Sequence, residues 1–227
     1  MRTLYEIGLA DKAVRPSPFC WTVKLALKHK GLEFETMPLG FAEKENYPAP
    51  EYGKVPVLVD DGEQVKDSAV ILYYLDAKYP QHPLAKSGGE KAAADFIRAW
   101  AGVNIFPSMG VLVMPALFAA SSEADQTYMR NIFEQRMGMK VEDYMNAPGA
   151  ADNLAAALKI MAAPLSGHRF FGGDAPNIAD YVAFGPFMWA RAASRTPFCE
   201  MPQPVADWTE RMLDLFGGYA RAAKSLS

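Results

Sequence analysis

Ser17 precedes Pro18 in the run Arg15-Pro16-Ser17-Pro18-Phe19-Cys20-Trp21. A hydroxyl residue stands where a helix starts, and a proline takes the first helical position, where a missing N–H costs nothing. Such a helix end carries unpaired N–H groups and a positive partial charge. A thiol bound there is stabilised as its thiolate, with the Ser17 hydroxyl as donor and not as nucleophile. Alone, the same residues make an ordinary helix cap, and two further places add to them. Lys54-Val55-Pro56-Val57 sets a proline at a strand entry, as its first residue or in a cis turn. In the second case the N–H and C=O of Val55 face outward, where a peptide can pair as an extra strand. Asp67-Ser68 sets a carboxylate beside a capping hydroxyl with a free N–H, the partners that an α-ammonium and an α-carboxylate require. Three separate sites thus describe one ligand: a thiol, a peptide backbone and an amino-acid head.

The elements that must position them follow from periodicity and punctuation. Residues 2–7 read as a strand, 18–30 as a helix stopped at Gly31, and 32–38 as a second strand. Lys28, His29 and Lys30 before Gly31 are the usual chemistry of a helix C-terminus. Residues 40–50 hold at most a short helix. Asp61-Gly62 between two strand-like runs is a strong hairpin signal, after which Ser68 is expected to cap a helix to Tyr79 with Val70, Ile71, Tyr74 and Leu75 on one face. A linker spans 80–88. Beyond it the pattern is helical throughout, over 89–119, 123–146, 151–163, 177–194 and 203–221, with Asn177 to Asp180 opening one helix as a capping box. The fold class is therefore α/β followed by all-α.

The chain has 227 residues, 50% hydrophobic and 22% charged, with a net charge of −3. That suits one or two globular domains with ample core. No basic run interleaves with aromatics, so nucleic acid is excluded as a partner. Two cysteines, Cys20 and Cys199, point to a reducing compartment, and the first residues lack an apolar signal core, which makes cytoplasmic the expectation. Residues 101–120 are apolar, yet Asn104, Pro107, Ser108 and Pro115 interrupt them, so a buried, bent helix is expected and no membrane partner. Three scattered histidines and two distant cysteines give no metal spacing.

Ser17-Pro18-Phe19, Val55-Pro56-Val57 and Asp67-Ser68, followed by an all-helical half, resemble a cytosolic glutathione transferase of the serine type. More narrowly, the sequence is similar to the bacterial lignin β-etherases and the fungal FuA-type transferases. Supporting runs are Trp21 with Lys24 to Gly31, Val57 to Gly62, Asp76 to Pro80, Pro176 to Tyr181, Arg195-Thr196-Pro197, and Asp207-Trp208 with Asp214-Leu215-Phe216. The resemblance covers nearly the whole chain and is weakest over 86–170. It implies a thioredoxin-like, glutathione-binding domain over 1–80 and an all-helical domain over 89–227 that contributes the electrophile pocket. It further implies glutathione as co-substrate, a homodimer, Ser17 as the catalytic donor to the thiolate, Val55 beside a cis Pro56 as partner of the cysteinyl backbone, and Asp67 with Ser68 at the γ-glutamyl head. Lys54 is the first choice for the glycine carboxylate and Lys44 the second. Thr22 departs from the arginine expected after the tryptophan.

The implied chemistry is thiolate attack on an electrophilic carbon, with β-aryl ether cleavage as the narrower expectation. A free thiol of pKa about 8.5 is only a few per cent ionised at neutrality, and lowering that value by about two takes about 2.7 kcal/mol. A helix end plus one charge-assisted hydrogen bond is of that order. The hydrophobic electrophile is expected against Trp100, Asn104 and Pro107, at spacings of four and three, with Ile7 and Phe19 closing from the other domain. The same stripe would equally serve as core. Two rivals stand beside this reading. Cys20 lies where a C-x-x-C motif has its second cysteine, but Ser17 removes the first, which disfavours a thiol reductase. A non-catalytic glutathione-binding or ligand-binding protein would keep the fold without turnover.

Overall fold

The computed structural model describes residues 1–227. Strands β1 (Arg2–Ile7), β2 (Glu35–Leu39), β3 (Val57–Asp60) and β4 (Glu63–Lys66) form one mixed sheet in the order β2-β1-β3-β4. β2 runs parallel to β1, which demands a crossover, and helix α1 (Pro18–His29) supplies it; β3 and β4 are antiparallel to their neighbours. The β3–β4 hairpin turns at Asp61 and Gly62, both at positive φ as a tight two-residue turn requires. Helix α2 (Ser68–Lys78) follows. This is the expected thioredoxin-like arrangement.

Several boundaries differ from the sequence expectation. β2 starts at Glu35 and not Leu32, because Leu32 is used to close α1: its N–H donates to Leu27 O and that of Gly31 to Lys28 O, both at 3.0 Å, with Gly31 at φ +66°. On α2, Val70 is 54% exposed, and the buried face is Ile71, Leu72 and Leu75. Residues 89–119 are not one helix. α3 (Gly88–Asn104) and α4 (Phe106–Ala119) meet at a 59° bend, because Pro107 has no N–H for the Val103 carbonyl and its ring clashes with a continuing turn. Residues 123–146 likewise divide into α5 (Glu123–Met137) and α6 (Val141–Met145), separated at Gly138 in the left-handed region. The remaining helices are α7 (Ala150–Leu165), α8 (Ile178–Ala193) and α9 (Gln203–Gly218), the last interrupted at Leu215–Gly217. No single helix is long and apolar enough to cross a membrane.

α8 is the axis of the helical domain, buried along most of its length and started by the Asn177–Asp180 capping box. Asp180, fully buried, accepts from the backbone N–H groups of Phe171, Gly172 and Asn177 and from Trp208 Nε1 at 2.8–3.0 Å. Four donors satisfy one buried carboxylate and tie the loop before α8 to α9. One continuous core runs from Leu4, Leu25 and Leu58 by the sheet to Phe184, Trp208 and Met212 among the helices. α1 lies directly on α8, and the closest approach is at Gly185: a Cβ there would stand 2.6 Å from Pro18 O and 2.9 Å from Thr22 Oγ1. Thr22, 5% exposed, shares its hydroxyl proton between Pro18 O and Tyr181 O at 3.2 and 3.1 Å. An arginine has no room at this contact, so the departure at Thr22 has a packing reason. Gly185→Ala is expected to cost about 1–3 kcal/mol and lower the melting temperature by about 3–10 °C, measured by thermal denaturation.

Candidate functional site

A cleft of about 750 Å³ opens where the loops at the sheet's edge face α3, α4 and α5, within the usual range for a small-molecule site. Ile7, Ser17, Phe19, Lys44, Lys54, Val55, Pro56, Asp67 and Ser68 all line it. Another cavity, about 120 Å³ between α8 and α9, holds none of them.

Ser17 caps α1: its Oγ accepts the Cys20 N–H at 3.3 Å and Pro18 is the first helical residue. Accepting that bond leaves its own proton free to donate. Beneath the loop lies a charge network that periodicity does not show. Glu6, 1% exposed, accepts from Arg15 Nη1 at 2.9 Å and from Lys24 Nζ at 2.8 Å, and the Lys24 ammonium sits 3.5 Å from the centre of the Trp21 ring. Trp21 Nε1 donates to Arg15 O at 2.7 Å. Residues 15–21 are therefore fixed from below by β1 and from within by their own tryptophan. Burial lowers the Lys24 pKa in spite of Glu6.

The Val55-Pro56 peptide is cis, and β3 begins at Val57. The N–H and C=O of Val55 take part in none of the protein's hydrogen bonds, and Val55 lines the cleft. The cap of α2 is Asp67 and not Ser68: its Oδ1 accepts from Ala69 N and Val70 N at 2.8 and 3.4 Å. Ser68 becomes the first helical residue, with its N–H and hydroxyl unpaired. Asp67 holds φ at +73°, a backbone conformation that non-glycine residues rarely adopt. Lys44 Nζ donates to Gly53 O at 2.7 Å and lies 4.3 and 4.9 Å from the Tyr47 and Tyr128 ring centres, while Lys54 is exposed. Burial, and then the charge of Arg136, lower the Lys44 pKa.

The apolar half of the cleft corrects the sequence expectation. Trp100, Asn104 and Pro107 do not line it. α3 ends at Asn104, whose side-chain amide donates to Trp100 O at 2.9 Å, and Pro107 belongs to the next helix beyond the bend. The wall is built by Phe106, Met114 and Leu117 of α4, Met129, Ile132 and Phe133 of α5, and Trp189 of α8. Phe19, 45% exposed, stacks on Phe106 at 5.2 Å and 7°, and Phe106 meets Trp189 at 6.0 Å. The spacing 129, 132, 133 was open to reading as a helix face; its direction toward the cleft depends on the break at Gly138 and on Asp125, 2% exposed, which holds Ala42 N at 2.7 Å. Cys20 is fully buried, and burial with Glu6 pushes its pKa up to about 12, so it offers no thiolate.

Residues 13–83 match the family model described as glutathione S-transferase, N-terminal domain, and residues 92–215 match the C-terminal domain of the same family. A zeta-class glutathione S-transferase of Euphorbia esula is 29% identical over 166 residues, 70% of this chain and 65% of that protein. The chain thus spans just under two thirds of that relative's length. Glutathione S-transferase U22 of Arabidopsis thaliana is 25% identical over 79% of this chain and 72% of its own length. Among solved structures, a glutathione S-transferase of Ceriporiopsis subvermispora in complex with glutathione superposes with a TM-score of 0.75 at 21% identity, covering 97% of this chain and 93% of that one. Glutathione transferase GSTFuA3 of Phanerochaete chrysosporium gives 0.75 at 22% identity, with 96% and 92% covered. Those two likenesses concern the fold. On both family models, the chain belongs to the glutathione S-transferases.

Proposed function

We propose that this chain is a glutathione transferase of the serine type, which ionises the glutathione thiol at the start of α1 and delivers the thiolate to a hydrophobic aromatic electrophile. One observation carries the reading. Three polar sets with free hydrogen-bonding capacity, from separate parts of the sequence, line one cleft: the Ser17 hydroxyl as donor, the Val55 backbone, and the Ser68 N–H with its hydroxyl beside Asp67. Their chemistry is complementary to a thiol, a peptide unit and an amino-acid head in that order, which is glutathione. Lys54 and Lys44 stand beside Val55 for the glycine carboxylate.

In the step itself the thiolate sulfur forms a bond to the electrophilic carbon and the leaving group departs with the bonding pair; the thiol proton has already passed to solvent. The stacked Phe19–Phe106 pair beside Ser17 supplies faces for an aromatic ring. β-Aryl ether cleavage, giving a glutathione thioether and a phenol, is the narrower form. The protein acts as a cytoplasmic homodimer in this reading, with the exposed Val70, Phe96 and Val103 of α2 and α3 as candidate contact residues. Thiol reductase chemistry is disfavoured by the buried, protonated Cys20.

Glutathione titrated calorimetrically across pH, in buffers of different ionisation enthalpy, tests the reading. The expected result is binding with close to one proton released near neutrality, followed by turnover of a β-aryl ether or an activated aryl halide. Absence of binding overturns it. Binding and proton release without turnover of any electrophile would make the protein a carrier.

A further inference from the structure

The cleft carries several cationic side chains, and the glutathione reading assigns a partner to only some of them. Lys44, Lys54, Arg98 and Arg136 line it. Arg98 is paired with Asp95 at 2.5 Å, but Lys44, Lys54 and Arg136 form no ion pair. Asp125, whose charge acts on Lys44, makes no ion pair with it and accepts the Ala42 N–H at 2.7 Å. In the glutathione reading, on which this inference rests, Asp67 and Ser68 serve a head that is itself a zwitterion. The two lysines stand for the glycine carboxylate, and that reading gives Arg136 no partner.

Arg136 is placed for a different molecule. It follows Met129, Ile132 and Phe133 by seven, four and three residues, hence lies on the same face of α5, at the outer end of the apolar wall. Arg136 is exposed, and the two positions a turn before it on α5, Ile132 and Phe133, include no acid. An apolar wall that ends in an uncompensated guanidinium suits a ligand with a ring at one end and an anion at the other. We propose that the electrophile this protein accepts is an aromatic carboxylate, whose carboxylate is received by Arg136, with Lys44 adding to the attraction while Lys54 serves the glycine end.

The test uses 4-chloro-3-nitrobenzoate and its methyl ester at saturating glutathione. In both, sulfur bonds to the ring carbon and chloride leaves with the C–Cl pair. Each kcat/KM is divided by the uncatalysed rate constant for that electrophile with glutathione, which removes the intrinsic advantage of the ester. The native chain should favour the carboxylate by about tenfold, and Arg136→Gln should abolish that preference while Arg136→Lys keeps part of it. Arg136 also sits in the last turn of α5, where a cation is favourable for the helix alone. A purely structural role would lower the melting temperature and both rates together, leaving the ratio unmoved, and that result overturns the proposal. So does a native ratio at or below one. If glutathione affinity falls in parallel with both rates, Arg136 serves glutathione and the proposal is wrong. A chain that binds glutathione and converts the ester without preferring the acid overturns this inference alone; a chain that does not bind glutathione overturns the reading beneath it as well.

Discussion

Ser17→Ala is expected to lower kcat/KM for glutathione conjugation by about 10- to 100-fold at pH 6.5, with the loss shrinking as the pH rises toward 9. The hydroxyl is the one side-chain donor at the start of α1 that its own capping bond leaves free. A hydrogen bond to a charged group contributes about 1.5–3 kcal/mol, and 1.36 kcal/mol corresponds to one pH unit, so losing it raises the bound thiol's pKa by about one to two. The sign follows. The thiolate is present above that pKa, so the variant's acidic limb moves to higher pH and the two profiles converge where both thiols are ionised. Proton release on glutathione binding at neutrality should fall in step. The cap is lost too, at about 1 kcal/mol, so a drop of a few degrees in melting temperature accompanies the change without explaining it. Unchanged pH limbs with equal proton release would assign the ionisation to the helix end alone.

Glu6→Gln should have the largest effect on stability, a loss of about 3–4 kcal/mol at pH 7.5. It leaves Lys24, 2% exposed, without its carboxylate, and frees Arg15 from the same partner. Removing one member of a buried pair costs about 3–5 kcal/mol because the other charge is stranded. Lys24 can escape by losing its proton. From an unfolded value of about 10.4 that costs about 4 kcal/mol at pH 7.5, which caps the penalty. The folded-state pKa of Lys24 is already lowered by burial in the native chain, and the variant lowers it further. Below its unfolded pKa the unfolded chain then binds the extra proton, so the variant's stability rises with pH up to about 10. Chemical denaturation from pH 6 to 9.5 reads this directly. A Glu6→Gln, Lys24→Met double variant should recover most of the loss; a flat pH dependence in the single variant would show that Lys24 keeps its proton, and unchanged stability that the network contributes nothing. Because Arg15 and the Trp21 bond at 2.7 Å hold the Ser17 loop, glutathione affinity should weaken in the single variant as well.

The order of elements in the thioredoxin-like half, the caps at Ser17 and Asn177, the hairpin at Asp61-Gly62 and the polar residues that line the cleft are legible in the chain itself. Each depends on local chemistry: a hydroxyl before a proline, a turn that needs positive φ, a strand entry at Val55-Pro56. Local signals were also sufficient for α8, whose capping box forms as the spacing implies. They failed at Ser68, where either of two adjacent capping residues could start α2; the side chain of Asp67, at positive φ, takes the cap. They failed again beyond residue 88. Trp100 and Asn104 share a face of α3, but α3 presents Arg98 to the cleft and not that face, and the bend separates Pro107 from them. Glu6, Arg15 and Lys24 look like unrelated charges in a strand, a loop and a helix until the sheet and α1 are packed together. Burial then makes them one network, because a charge removed from water must find its partner wherever the fold brings one. The sequence alone thus determined the polar side of the cleft, where Ser17-Pro18, Val55-Pro56 and Asp67-Ser68 are short local motifs. Only the tertiary structure decided the apolar side, because its wall is assembled from α1, α4, α5 and α8, and no local pattern encodes the angles at which four helices meet.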